Sequence, residues 1–201
     1  MRLLQAWLAV LLLSVLCAAQ SSGEHPLAAQ TWEITPWFQG GTGLGHASDF
    51  KFISTGLRIG RVLTPVLGDG RFRGTFEWAA DLIPIDMVRQ AEFYSFGPTQ
   101  WIYGGGFNPI ILKWNWVGNR KVVPYLAAEG GVIFTHHDVP QPDTSNLNFT
   151  PGGAFGFSIP SGERRALDLS IHITHISNAS LGHNPGINAT AQFRVGYTWF
   201  R

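Results

Sequence analysis

Polar and apolar residues alternate along most of this chain with a period of two, the pattern of strands that show one face to an apolar phase. In residues 31–38, Trp32, Ile34, Pro36 and Phe38 alternate with Glu33, Thr35 and Trp37. In 52–60, Ile53, Thr55, Leu57 and Ile59 alternate with Ser54, Gly56, Arg58 and Gly60. The stretch 71–82 sets Phe72, Phe76, Trp78 and Leu82 against Arg73, Thr75, Glu77 and Asp81. Weaker or longer patterns cover 100–117, 122–136 and 148–160. Residues 166–177 place Leu167, Leu169, Ile171 and Ile173 opposite Asp168, Ser170, His172 and Thr174. In 188–200, Ala191, Phe193, Val195, Tyr197 and Trp199 face away from Gln192, Arg194, Gly196 and Thr198. Eight strands are predicted, and helix signals are weak.

The connections are expected to alternate as well. Residues 40–51, 83–99 and 137–147 are long gaps, while 64–70, 118–121 and 161–165 are short. Long loops at one end and tight turns at the other predict an all-β fold, an eight-stranded antiparallel up-and-down transmembrane barrel of the outer-membrane kind. Arg58, Arg73, Glu77, Asp81, Asp168, His172 and Arg194 are then expected to point into the lumen, where opposite charges pair. The apolar set faces lipid, and Tyr and Trp near strand ends fit interfacial girdles. A soluble secreted barrel that binds an apolar ligand reverses the two faces.

Composition separates these readings. Charged residues make up 13% of the chain, about half the globular norm, and aromatics another 13%, with eight Trp and 24 Gly. A soluble barrel needs a charged exterior, whereas this composition suits a wall that faces lipid. The formal charge of +1 argues against an electrostatic nucleic-acid binder. Arg2, an apolar run from Leu3 to Leu16 and the small residues of Cys17-Ala18-Ala19 predict a signal peptide over 1–19. A short lead (20–30) and one barrel domain (31–201) follow, without cysteine and so without a disulfide framework. The chain ends on the amphipathic run "RVGYTWF" and Arg201, and outer-membrane barrels usually close on such an aromatic-ended strand.

The seventh predicted strand carries the candidate chemistry. His175 and Ser177 continue its apolar face, where Val or Leu is expected. Two residues apart on one face, their Cβ atoms stand roughly 6–7 Å from each other. Rotation of the side chains brings a ring nitrogen toward the hydroxyl, as a base-activated nucleophile requires. Spacing alone favours a pair of interfacial polar residues over a catalytic one.

The segment "HISNASLGHNPGIN" (175–188) resembles the active-site segment of the lipid A 3-O-deacylases (PagL type), whose relatives are often labelled acyloxyacyl hydrolases. That family carries His-x-Ser-Asn-Ala at the end of its seventh strand, then an Asn/Pro/Gly loop into the eighth. The resemblance covers this segment, the strand count and the signal peptide. It implies a serine esterase that works in the plane of the outer membrane, its site facing the outer leaflet, on the 3-O-linked acyl chain of lipid A in lipopolysaccharide. Ser177 is then the nucleophile and His175 the general base. The Asn178 side chain and the Ser180 N–H are the implied oxyanion donors, Ser180 standing where Gly is common. No cofactor or metal is implied, and a homo-oligomer is compatible with the fold. The family's orienting Glu falls at Asn188, reached through a loop one residue shorter. In serine proteases an acid-to-amide change in that role costs about 10⁴ in turnover. Asp138 and Asp143, in the preceding loop, are the alternative acids, while Asp168 lies too far back on the strand. A metal site built on His136, His137, Asp138 and His183 ranks low, because loop histidines are more often solvated. The competing functional reading is a non-catalytic barrel, structural or adhesive.

Overall fold

The computed structural model describes residues 26–28, 30–90, 99–118 and 121–201, so the predicted signal peptide lies outside it. Among the described residues there are nine strands: β1 (Trp32–Gly43), β2 (Lys51–Val62), β3 (Thr75–Gln90), β4 (Gln100–Asn115), β5 (Val123–Thr135), β6 (Leu147–Phe149), β7 (Gly152–Pro160), β8 (Arg165–Ile176) and β9 (Ile187–Phe200). The short β6 and β7 both pair with β5 and form one broken stave. All neighbours are antiparallel, and the β4–β5 and β1–β9 pairings close the sheet into an eight-staved barrel. Among the described strands closure leaves no unpaired sheet edge, as a hydrocarbon environment demands.

The two faces divide as the alternation requires. Phe38, Ile59, Leu82, Leu126, Ile171 and Phe193 stand exposed on the outer wall. Inside, Asp81 holds two guanidinium groups, with Arg58 Nε at 2.8 Å and Arg194 Nη1 at 2.7 Å. Lys113 Nζ bridges Glu33 at 3.3 Å and Glu77 at 3.2 Å. Each of these six charges thus has an opposite partner, the condition for tolerating a buried charge. Apolar plugs bound this polar column. At the end carrying the strand termini, Leu27, Val62, Val117, Val123, Ala166 and Phe200 pack together. At the other, Phe50, Phe52, Val88, Ile102, Val139 and Ile176 do so. Leu27 reaches its plug from the short 3₁₀ turn Pro26–Ala28, within the predicted lead.

Two expectations are corrected. The strand predicted over 71–82 starts at Thr75, because Gly68 and Gly70 take positive φ (70° and 55°) and wind the chain into a 3₁₀ turn, Gly70–Phe72. Arg73 therefore lies exposed outside the lumen rather than within it, and the connection expected over 64–70 runs from 63 to 74. Conversely, the gap expected over 83–99 is strand as far as Gln90. There Pro84 and Ile85 oppose the single Gly105, a bulge that flips the side-chain parity and hides the alternation. Beyond it Asp86, Val88 and Gln90 point inward.

Candidate functional site

The site is set where β8 runs out of partners. Residues 166–174 pair regularly with β9, but Thr174 faces Thr190 and Ile176 faces Ile187. Asn188 and Ala189 thus oppose the single residue His175, a bulge that frees a backbone carbonyl from the ladder. The carbonyl of Asn188 turns outward and accepts a hydrogen bond from His175 Nδ1 at 2.9 Å. A carbonyl only accepts, so this bond places the proton on Nδ1 and leaves Nε2 as the basic nitrogen. The Asn188 side chain stays exposed, and its backbone does the holding.

His175 and Ser177 share the outward parity of Ile171 and Ile173, which are 54% and 47% exposed. Both backbones are pinned from the β6–β7 side. Ser177 exchanges hydrogen bonds with Phe149, N–H to carbonyl at 2.9 Å and carbonyl from N–H at 2.7 Å, and the His175 N–H donates to the Pro151 carbonyl at 2.9 Å. Only the side chains are left to move. The Ser177 hydroxyl accepts the Ala179 N–H at 3.2 Å, and among the described residues no hydrogen bond joins it to His175. In a hydrolase such a bond often tightens only around substrate.

Asn178 and Ser180 lie beside the pair, in a tight turn. The Leu181 N–H returns to the Asn178 carbonyl at 2.9 Å, and Ala179 and Ser180 take φ of 48° and 64°, as the centre of a type I′ turn does. The Ser180 N–H donates to Asn178 Oδ1 at 3.2 Å, and Asn178 Nδ2 donates to the Asn184 carbonyl at 2.8 Å. Both expected oxyanion donors are therefore engaged, the Asn178 amide by the Asn184 carbonyl and the Ser180 N–H by Asn178 itself. One N–H of the Asn178 amide remains beyond that bond. Among the described residues no hydrogen bond or ion pair joins the loop acids Asp138 and Asp143 to His175. Asp143 Oδ2 lies 3.1 Å from the exposed His183 Nδ1, and Asp168 accepts the Tyr125 hydroxyl at 2.9 Å inside the barrel. Among the described residues no group of three or more His, Cys, Asp or Glu is placed to hold a metal ion. His136 instead accepts the Tyr103 N–H through Nδ1 at 3.0 Å.

An open apolar groove of about 710 Å³ starts one residue pair below His175 on the barrel wall. Its floor is Ala128 and Gly153, and its rims are Ile171 and Ile173 on one side and Leu112 and Trp114 on the other. Register explains the trough, since Ile173, Gly153, Ala128 and Leu112 lie in one row across four strands. Small residues between large ones leave hydrocarbon-sized space.

Inside the barrel lies a second Ser–His pair that sequence reasoning did not single out as a site. Ser170 Oγ is 3.0 Å from His172 Nε2, and His172 Nδ1 is 2.9 Å from Glu129 Oε1. The distances suit a nucleophile–base–acid chain, but all three residues are buried. The cavity beside Glu129 measures about 40 Å³, room for a few waters and not for an acyl ester. Its signal in sequence was the inward parity of Ser170 and His172; the third member came from a distant strand.

The model of the lipid A 3-O-deacylase (PagL) family matches residues 68–198, a span that includes His175, Ser177, Asn178, Ser180 and Asn188. Among solved structures, the outer membrane enzyme PagL is similar at 14% identity with a TM-score of 0.56, over 82% of this chain and 98% of that one. The outer membrane protein OprG from Pseudomonas aeruginosa is similar at 12% identity and a TM-score of 0.51, over 90% and 98%. At such identities these likenesses establish the barrel fold. No curated protein matches.

Proposed function

Because the chain belongs to the lipid A 3-O-deacylase (PagL) family and folds as an outer-membrane barrel, we propose that it hydrolyses the 3-O-linked acyl ester of lipid A through Ser177 and His175. The observation that carries the reading is the His175–Asn188 hydrogen bond on the outer wall. It fixes the tautomer in which Nε2 takes the proton of Ser177, two residues along the same face. Ser177 Oγ attacks the ester carbonyl while His175 accepts its proton, giving a tetrahedral oxyanion. As the intermediate collapses and the bond to the sugar breaks, the imidazolium protonates the departing 3-oxygen, giving the sugar 3-hydroxyl and an acyl-serine. Water, deprotonated by His175, attacks this ester; the bond to Ser177 Oγ breaks, the imidazolium returns the proton to Oγ, and the 3-hydroxy fatty acid is released. The free N–H of the Asn178 amide and the Ser180 N–H, once released from Asn178 Oδ1, are the donors suited to the oxyanion. The apolar groove below His175 suits the acyl chain, and the site works from the outer leaflet.

A second reading, a non-catalytic barrel, is favoured by the bond that occupies the Ser177 hydroxyl and by the missing carboxylate at Asn188. Mass spectrometry of lipid A from cells expressing wild type, Ser177→Ala and His175→Asn decides between them. Loss of one 3-hydroxyacyl mass from lipid A with wild type alone supports the esterase. Lipid A left intact by wild type sinks it.

A further inference from the structure

A second groove, of about 690 Å³, opens beside the site at loop level, on the β1–β9 side. Leu44, His46 and Ala47 form one wall, and Pro185, Gly186 and Asn188 the other. It touches the proposed machinery at two points. Asn188 lines it while its carbonyl holds His175. Gly186 packs so tightly on β8 that an added Cβ would strike the Ile176 carbonyl oxygen and stand 3.3 Å from the Ser177 Cα. The first wall is built rather than draped. The Leu44 N–H donates to the Ala189 carbonyl at 2.9 Å, a 3₁₀ turn follows over Gly45–Ala47, and Ala47 is anchored in the apolar plug.

We infer that this groove seats the phosphorylated sugar from which the acyl chain is cut, with His46 as a specificity-determining contact; the inference rests on the proposed deacylase reading. An acyl ester of a sugar has two ends of opposite polarity, and His175 and Ser177 have a groove on each side. The groove below them is walled almost wholly by hydrocarbon. The second sets an imidazole, an amide and loop backbone among Leu44, Pro185 and Ile187, so it is the more polar of the two. An alkyl chain there would strip water from His46 and Asn188 without replacing its hydrogen bonds. A sugar phosphate would replace them, and the exposed His46 imidazole can donate to a phosphate oxygen. The His46 wall also lies outside residues 68–198, so it belongs to a part of this chain that the family pattern does not cover.

The test uses the full chain refolded in detergent, with folding checked by heat-modifiable migration. Rates are measured on lipid A and on a p-nitrophenyl ester of the same acyl chain. His46→Ala removes the polar contact, and Leu44→Trp fills the groove from its rim. The ratio of kcat/KM on lipid A to kcat/KM on the simple ester is expected to fall at least tenfold in either folded variant, mostly through KM, and His46→Gln is expected to recover part of it. A ratio within threefold of wild type in both variants overturns the assignment while leaving the deacylase reading intact. Wild type that spares lipid A overturns both.

Discussion

Asn188 stands where a carboxylate is expected, and the His175–Asn188 bond sets how much that departure matters. Two substitutions separate the side chain from the backbone. Asn188→Ala deletes an exposed amide and keeps the carbonyl that accepts from Nδ1 at 2.9 Å. The tautomer is then unchanged, and kcat is expected to stay within about threefold of wild type. Asn188→Glu offers the ring a charged acceptor instead of a neutral one. Hydrogen bonds to charged groups stabilise by about 1.5–3 kcal/mol against about 0.5–1.5 for neutral pairs. The difference of about 1–1.5 kcal/mol in holding the imidazolium corresponds to roughly a tenfold gain in kcat. This is far less than the roughly 10⁴ seen where an amide forces the wrong tautomer. The assay is release of 3-hydroxy fatty acid from lipid A under single-turnover conditions. A loss beyond about a hundredfold in Asn188→Ala, or a gain beyond about a thousandfold in Asn188→Glu, would refute the view that the backbone already orients the ring.

Two further predictions concern the scaffold. Asp81→Asn leaves Arg58 and Arg194 buried without a counter-charge, and breaking a buried pair this way costs about 3–5 kcal/mol; the urea midpoint of the folded, heat-modifiable band should drop accordingly, and an unchanged midpoint would show that the lumen hydrates. Ser180→Gly removes a side chain from a residue at φ 64° while keeping its N–H, so stability should rise by about 0.5–1 kcal/mol with activity retained; a fall in stability on equilibrium unfolding would show that the Cβ contributes packing.

The barrel was legible because lumen charges are conspicuous against a wall of hydrocarbon. Arg58, Asp81 and Arg194 fall on the polar parity of three separate strands, and they meet in space. Where reading failed, the cause was a count of one residue. The bulge opposite Gly105 reversed the parity of β3, so Asp86 and Gln90 looked like loop. The glycines at 68 and 70 ended a pattern that side chains alone would have carried through Arg73. At the site, His175 and Ser177 stood out as polar residues on an apolar face. The group holding His175 could not, since a carbonyl has no letter in the sequence and its freedom comes from a second one-residue bulge. The His46 groove was likewise invisible, because only closure of β9 onto β1 brings residues 44–47 beside 185–188.

The plugs at both ends of the polar column have a bearing on permeability. A barrel stopped in this way adds no leak to the membrane that holds it, however many copies are made. The proposed substrate is an amphiphile that already resides in the bilayer, so it reaches His175 and Ser177 by lateral diffusion and needs no aqueous gate. Traffic and containment are therefore assigned to opposite faces of the same strand. On β8 the odd-numbered residues from Ile171 to His175 face outward, and the even-numbered ones from Ser170 to Ile176 keep the door shut.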